Sequence, residues 1–213
     1  MFIPPPRAEI KRMTSRIVAV VGGTASGKTT LASDLYRIGG TEKVQVIPLD
    51  AYYRCNAHLP LEERAKVNYD HPDAFEIEFL IEQLMLLQRG EVVETPTYHF
   101  ATHSRSAQTR QILPQDVIII EGILTLHFPE IRNILSYSVF VDTPDDLRFA
   151  RRLSRDVRER GRTEESVITQ WNDTVQPMHE RFCAPTKQFA SELIDGSSWA
   201  DPDVVALWHR VRG

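Results

Sequence analysis

Gly22-Gly23-Thr24-Ala25-Ser26-Gly27-Lys28-Thr29 follows directly on the apolar run Ile17-Val18-Ala19-Val20-Val21. The octet matches G-x-x-x-x-G-K-[ST], and the run before it reads as a buried strand. Glycines let the backbone curl around phosphates, successive amides point inward, and the N-terminus of the following helix adds the positive end of its dipole. Thr30-Leu31-Ala32-Ser33-Asp34-Leu35-Tyr36 is compatible with that helix. The spacing therefore predicts a triphosphate-binding loop from Gly22, Gly23, Thr24, Ala25, Ser26, Gly27, Lys28, Thr29 and Thr30. Lys28 would reach the outer phosphates and the Thr29 hydroxyl would hold Mg²⁺.

Three further apolar runs end on acids: Val44 to Leu49 before Asp50, Val117 to Ile120 before Glu121, and Val139 to Val141 before Asp142. A last short run, Leu193-Ile194, reads as a fifth strand before a C-terminal helix ending near Arg210. Buried runs separated by helical stretches predict an α/β fold. Its core is a doubly wound, mainly parallel five-stranded sheet of the P-loop NTP hydrolase type, with its ligand site at the carboxyl ends of the strands. Phosphoryl transfer needs a metal-holding acid and a group that orients or deprotonates the acceptor. Asp50 and Glu121 are placed for this. Asp142, next to Thr143 and Pro144, is equally a turn or cap residue.

Between about residues 91 and 113 the pattern becomes short and extended around the polar turn Thr102 to Ser106, which predicts an inserted β-hairpin. Asp73 followed by Glu76 predicts a capping box for a helix carrying Phe75, Phe79, Leu80, Leu84 and Leu87 toward the core. Pro144 suits a first helical position, with helices running to about Arg158 and from Thr163 to Cys183. Arg148, Arg151, Arg152, Arg155, Arg158, Arg160 and Arg162 crowd the first part of this region. They read either as a solvated face balanced by Asp145, Asp146, Asp156 and Glu159, or as a helical lid over the phosphates at about residues 148–170. Tyr52, Tyr53, Tyr69, Tyr98 and His103 could stack on or hydrogen-bond a planar acceptor; singly, such residues more often pack.

A chain of 213 residues with 42% hydrophobic content fits an N-terminal arm (residues 1–15, rich in proline) and a single domain over residues 16–213. No apolar run is long enough to span a bilayer, so no membrane partner and a cytoplasmic location are expected. A formal charge of −4 argues against general nucleic-acid binding. Cys55 and Cys183 suggest neither a disulfide framework nor a zinc site.

Together, several stretches resemble the uridine kinase (uridine-cytidine kinase) family of P-loop kinases, from about Arg16 to Ala190. They are the Gly22–Thr29 loop, Leu49-Asp50-Ala51-Tyr52-Tyr53-Arg54, Asn68-Tyr69-Asp70-His71-Pro72-Asp73-Ala74-Phe75, Pro96-Thr97-Tyr98-His99-Phe100 with His103-Ser104-Arg105, Ile120-Glu121-Gly122-Ile123-Leu124, Arg155-Asp156-Val157-Arg158-Glu159-Arg160-Gly161-Arg162, and Pro177-Met178-His179-Glu180 with Pro185-Thr186-Lys187. The resemblance implies transfer of the γ-phosphoryl of ATP to the 5′-hydroxyl of uridine or cytidine in pyrimidine salvage, with Mg²⁺ as cofactor and a homo-oligomeric assembly. By the same resemblance Asp50 would be the general base, helped by Lys28, Arg155 and Arg160. Thr29, Asp50 and Glu121 would form the metal environment. Asp50, Tyr53, Tyr69, Tyr98, His103, Arg152, Arg162 and Gln170 would bind the nucleoside, His103 serving both bases by changing tautomer.

Two departures stand out. His99 replaces a common aspartate, and the tail Leu193-Ile194-Asp195-Gly196-Ser197-Ser198-Trp199 lacks the turn that helps frame adenine in relatives, leaving GTP open as donor. The alternatives are a P-loop kinase for another small hydroxyl metabolite and a nucleotide-binding regulator without catalysis.

Overall fold

The computed structural model describes residues 15–64, 66–100 and 102–213. The expected N-terminal arm lies outside the described residues apart from Ser15, which is buried and donates its hydroxyl to the Leu87 carbonyl at 3.3 Å. The strands are β1 (Arg16–Val21), β2 (Val44–Pro48), β3 (Val93–His99), β4 (Ser104–Ile112), β5 (Val117–Gly122), β6 (Tyr137–Asp142) and β7 (Glu192–Asp195). Five form one sheet in the order β2-β5-β1-β6-β7, with every neighbouring pair parallel.

Strands as apolar as β1 and β5 need cover on both faces. Ile17, Ala19, Val21, Ile118, Ile120 and Phe140 point to one layer, where they meet Leu80, Leu84 and Leu87 of the helix Ile77–Gln88. Val18, Val20, Val117, Ile119, Val139 and Val141 point to the other. There the helix Lys28–Gly39 supplies Leu31, Ala32 and Leu35, and the helix Asp201–Arg212 supplies Val204, Leu207, Trp208 and Val211. Each fully buried leucine of these helices contributes about 1.5–3 kcal/mol relative to exposure. The result is the doubly wound α/β fold expected from the apolar runs.

The second sheet is the antiparallel hairpin β3–β4, with a bulge between Pro96 and Tyr98 where proline cannot donate to the ladder. It packs against the turn Leu49–Tyr52. Tyr52 donates to Gln83 Oε1 at 2.5 Å, Gln83 donates to Glu94 O at 2.8 Å, and Arg105 pairs with Glu76 at 2.8 Å. These bonds fix the hairpin beside the C-terminal end of β2.

Two local expectations are corrected. Asp73 caps no helix: it lies in the 3₁₀ turn Pro72–Ala74, where the His71 ring accepts its amide at 3.2 Å, and the helix begins only at Ile77 without a side-chain cap. The intervening Phe75 is extended and bridges to Tyr53, which separates the acid from the helix. Pro144 is likewise outside its helix, which runs Asp145–Arg160. Beyond Gly161 the helical path covers Glu164–Gln170 and continues through two widened π turns, Trp171–Val175 and His179–Cys183, to Phe189. No helix among the described residues is long and apolar enough to cross a membrane.

Candidate active site

Parallel register brings the expected groups to one edge. Glu121 near the end of β5 is paired with Val20 of β1 on one side and Pro48 of β2 on the other. The Gly22–Thr29 loop leaves β1 and Asp50 leaves β2 at that same edge. All three elements open into one cavity of about 930 Å³, near the upper end of ordinary ligand pockets and roomy for two ligands side by side.

Backbone makes the first end of the cavity. Ser26 N donates to Gly23 O at 3.1 Å, and the positive φ values of Ala25 (59°) and Gly27 (102°) turn successive amides inward ahead of the helix at Lys28. Thr24, Ala25, Gly27, Lys28, Thr29 and Thr30 line the cavity. Gly22, Gly23 and Ser26 do not. They pack behind the loop, Gly23 against Arg148 and His179, Gly22 against the Val141 carbonyl, with Ser26 fully buried. Thr29 donates its hydroxyl to Glu121 Oε2 at 3.3 Å. Burial pushes the Glu121 carboxyl above its ordinary value, Asp50 adds to this, and Lys28 and the Thr29 hydroxyl oppose it.

Aromatic side chains make the opposite end. Tyr53 packs edge-on to Tyr69 and to Tyr98, each at 5.0 Å, and the His103 ring stacks on Tyr69 at 5.4 Å with the planes 18° apart. Tyr53 is only 6% exposed, and burial, then the Asp50 and Asp70 carboxylates, hold its phenol well above the ordinary range. The Tyr69 and Tyr98 hydroxyls are buried and find no hydrogen-bond partner among the described residues. His103 sits in the hairpin turn at φ 46°. Its imidazole is held below the ordinary value by burial first, then by Arg162, Arg160 and Arg64, which favours the neutral ring.

Arginines form the roof. Arg152, Arg155, Arg160, Arg162 and Gln170 line the cavity. Arg152 donates to Thr24 Oγ1 at 2.9 Å and to Gln170 Oε1 at 2.8 Å, and Arg162 shares that same Gln170 oxygen. Arg148 does not join them. It is buried behind the loop and donates to Asp145 and Gln176 at 2.6 and 3.0 Å. Asp142 is taken up by Lys187 at 3.1 Å.

Asp70, Arg151 and Trp199 are among the lining residues that carry no separate assignment from sequence. Asp70 lies beside the tyrosines. Burial, offset by Arg152 and reinforced by Asp50, pushes its carboxyl up to about 6. Asn68 Oδ1 accepts the Asp70 amide at 3.1 Å, an Asx turn that was visible in the Asn68-Tyr69-Asp70 string. Arg151 donates to the carbonyls of Gly196 (2.8 Å), Ser197 (3.1 Å) and Ser26 (3.5 Å). Trp199 lies against Gly27, where an added Cβ would come within 2.7 Å of the indole, and its Nε1 donates to Asp34 at 3.2 Å. No sequence spacing signals these last two contacts.

The oxygens of Thr29, Asp50 and Glu121 fit Mg²⁺, a hard cation usually held by one or two carboxylates together with phosphate oxygens and water. Among the described residues no group of three or more His, Cys, Asp or Glu side chains could hold a metal by itself, so a soft-metal cage is not the arrangement present.

Fold and site together define the P-loop kinase architecture. Residues 17–199 match the Phosphoribulokinase / Uridine kinase family, and the chain belongs to that family. It is 47% identical over 178 residues to a uridine kinase of Lactococcus lactis subsp. lactis (strain IL1403), covering 84% of this chain and 86% of the relative. To a uridine kinase of Lactobacillus johnsonii (strain CNCM I-12250 / La1 / NCC 533) it is 43% identical over 92% of this chain and 93% of the relative. Phosphoribulokinase from Rhodobacter spheroides shares the fold at a TM-score of 0.59 and 16% identity, covering 87% of this chain and 74% of that one.

Proposed function

We propose that the chain is a Mg²⁺-dependent kinase that transfers the γ-phosphoryl of ATP to the 5′-hydroxyl of uridine or cytidine, giving UMP or CMP in pyrimidine salvage. One observation carries this reading. A cavity with a phosphate-binding backbone at one end and an aromatic, imidazole-bearing pocket at the other has Asp50 at the seam. The relatives named as uridine kinases support it.

The triphosphate takes the loop amides and Lys28. Thr29, Glu121 and Asp50 would hold Mg²⁺, which when bound neutralises charge on the β- and γ-phosphates. The nucleoside lies among Tyr53, Tyr69 and Tyr98 with its base toward His103. Asp70 and Arg152 offer an acceptor and donors to the ribose hydroxyls, with Arg162 and Gln170 alongside. Asp50 accepts the 5′-hydroxyl proton as that oxygen bonds to the γ-phosphorus and the bond to the β–γ bridging oxygen breaks. Arg155 and Arg160 face the charge that develops on the transferring group. Residues 148–170 act as a lid that keeps water from competing with the ribose oxygen.

The Gly196 and Ser197 carbonyls are both engaged by Arg151, leaving the Trp199 surface at the donor end. An aromatic surface discriminates weakly among purines, so the reading includes GTP as a second donor. Cytoplasmic residence, expected from the lack of a long apolar run, and homo-oligomeric assembly, implied by the resemblance, belong to the same reading.

A coupled assay with uridine, cytidine and a panel of sugar phosphates tests the acceptor. Folded protein that turns over ATP with neither nucleoside would refute it. Asp50→Asn should lower kcat by about 10²–10⁴-fold, the usual weight of a general base. Full kcat in that variant removes Asp50 from the role.

A further inference from the structure

Asp156 is the most enclosed acid of the lid, at 0% exposure, and it faces the cavity's arginines from behind. Its Oδ1 accepts Arg155 Nε at 2.9 Å and lies 2.8 Å from the Arg155 terminal nitrogen and 3.5 Å from that of Arg160. Its Oδ2 lies 3.7 Å from Arg152 and 3.8 Å from Arg162, without a hydrogen bond from either. The Asp156 carbonyl also closes the helix. It accepts the amides of Gly161 and, at 3.1 Å, Arg162, the chain reversing at Gly161 with φ 65°. One buried carboxylate therefore organises four guanidinium groups, all of which line the cavity.

Helix stabilisation does not account for this arrangement. An i,i+4 pair with Arg152 or Arg160 would serve on an exposed face for a few tenths of a kcal/mol. Burying a carboxylate among guanidiniums is costly and is repaid only by close, hydrogen-bonded geometry, which Arg155 alone of the four supplies. Four positive groups around one negative charge repel one another and leave an excess facing the cavity. The other direct contacts are neutral: Thr24 Oγ1 and Gln170 Oε1 hold Arg152 and Arg162 by hydrogen bonds, and the Phe100 ring lies 4.8 Å from the Arg160 guanidinium. The Asp70 carboxylate acts on Arg152 and Arg162, and that of Asp50 on Arg160, only through space.

We infer that Asp156 is a positioning residue for phosphoryl transfer, the shared counter-ion that keeps Arg152, Arg155, Arg160 and Arg162 converged before the triphosphate arrives. Arg155 is held on Oδ1 by hydrogen bonding, whereas Arg152 and Arg162 stand off Oδ2. The array can thus redistribute between Asp156 and phosphate oxygens without exposing the acid. This inference rests on the kinase reading above.

The test compares wild type, Asp156→Asn and Asp156→Glu by steady-state kinetics, by thermal unfolding, and by titration with inorganic tripolyphosphate at low and raised salt. In Asp156→Asn, kcat is expected to fall about tenfold to a hundredfold, the usual consequence of misplaced catalytic groups. Tripolyphosphate is expected to bind as tightly as in wild type or more tightly, with a steeper salt dependence, because the array has lost its internal anion. Asp156→Glu keeps the charge and should recover part of kcat.

Unchanged kcat in Asp156→Asn overturns the inference. So does a loss of kcat, tripolyphosphate affinity and thermal stability together, or failure of both variants to fold, since either makes Asp156 a residue of the fold alone. If wild type phosphorylates neither nucleoside, the acceptor assignment fails, while the tripolyphosphate comparison still decides the role of Asp156.

Discussion

The two ends of the cavity are built by opposite means. At the donor end one uninterrupted stretch, Gly22–Thr29, supplies main-chain amides, and its side chains largely face away or serve as point contacts. At the acceptor end side chains do everything. They come from the turn after β2, the Asn68–Ala74 segment and the hairpin, brought together only by tertiary packing. A backbone site tolerates sequence change but not change of backbone conformation. A side-chain site is the reverse, and substitutions at the two ends should fail in distinguishable ways.

Gly27→Ala tests the donor end hardest. The residue sits at φ 102° with Trp199 in the space a Cβ would take, and forcing that conformation costs on the order of 1–3 kcal/mol. The KM for ATP should rise about tenfold to a hundredfold, at roughly 1.4 kcal/mol per decade. The KM for uridine at saturating ATP should hardly move. Equal effects on both substrates would mean that the two ends are not separable.

His103 tests the acceptor end more finely. A neutral imidazole can donate to uracil O4 or accept from cytosine N4, whereas the protonated ring can only donate. Burial and the neighbouring arginines hold its pKa below the ordinary value, so protonation is confined to acid pH. As pH falls through that pKa, kcat/KM for cytidine should drop relative to uridine, and His103→Phe should flatten the ratio. A ratio constant with pH in wild type would take His103 away from the base.

The smallest effect concerns stability. Asp70 is held at about 6 in the folded chain against an ordinary 3.8, so the native state binds more protons than the unfolded state between those values. Stability must then fall as pH rises through that window, and the cost is fully present above it. Asp70→Asn is expected to raise Tm at neutral pH by a few degrees, to converge with wild type in acid, and to weaken nucleoside binding. A lowered Tm at neutral pH would show instead that Asp70 is well paired where it stands.

This division also explains what could be read in advance. Apolar runs ending on Gly22, Asp50 and Glu121 marked out the sheet edge, because buried parallel strands and a contiguous phosphate loop are local patterns. Asp73 misled because its spacing to Glu76 imitates a cap, while the bridge from Phe75 to Tyr53 delays the helix. Arg148 and Arg155 look alike in sequence. Only the side of the helix Asp145–Arg160 facing the cavity separates a buried buttress from a roof residue. Trp199 meets Gly27 across most of the chain, a contact that no short-range pattern encodes.

Arg151 has a consequence for how the molecule is made. It fastens the carbonyl of Ser26 in the phosphate loop to those of Gly196 and Ser197 beyond the last strand of the sheet, and Thr143 holds the same Ser26 carbonyl at 2.9 Å. The loop is synthesised early, yet the groups that fix its shape leave the ribosome long afterwards. A nascent chain therefore carries the complete phosphate motif well before it carries the residues that hold the Ser26 carbonyl in place.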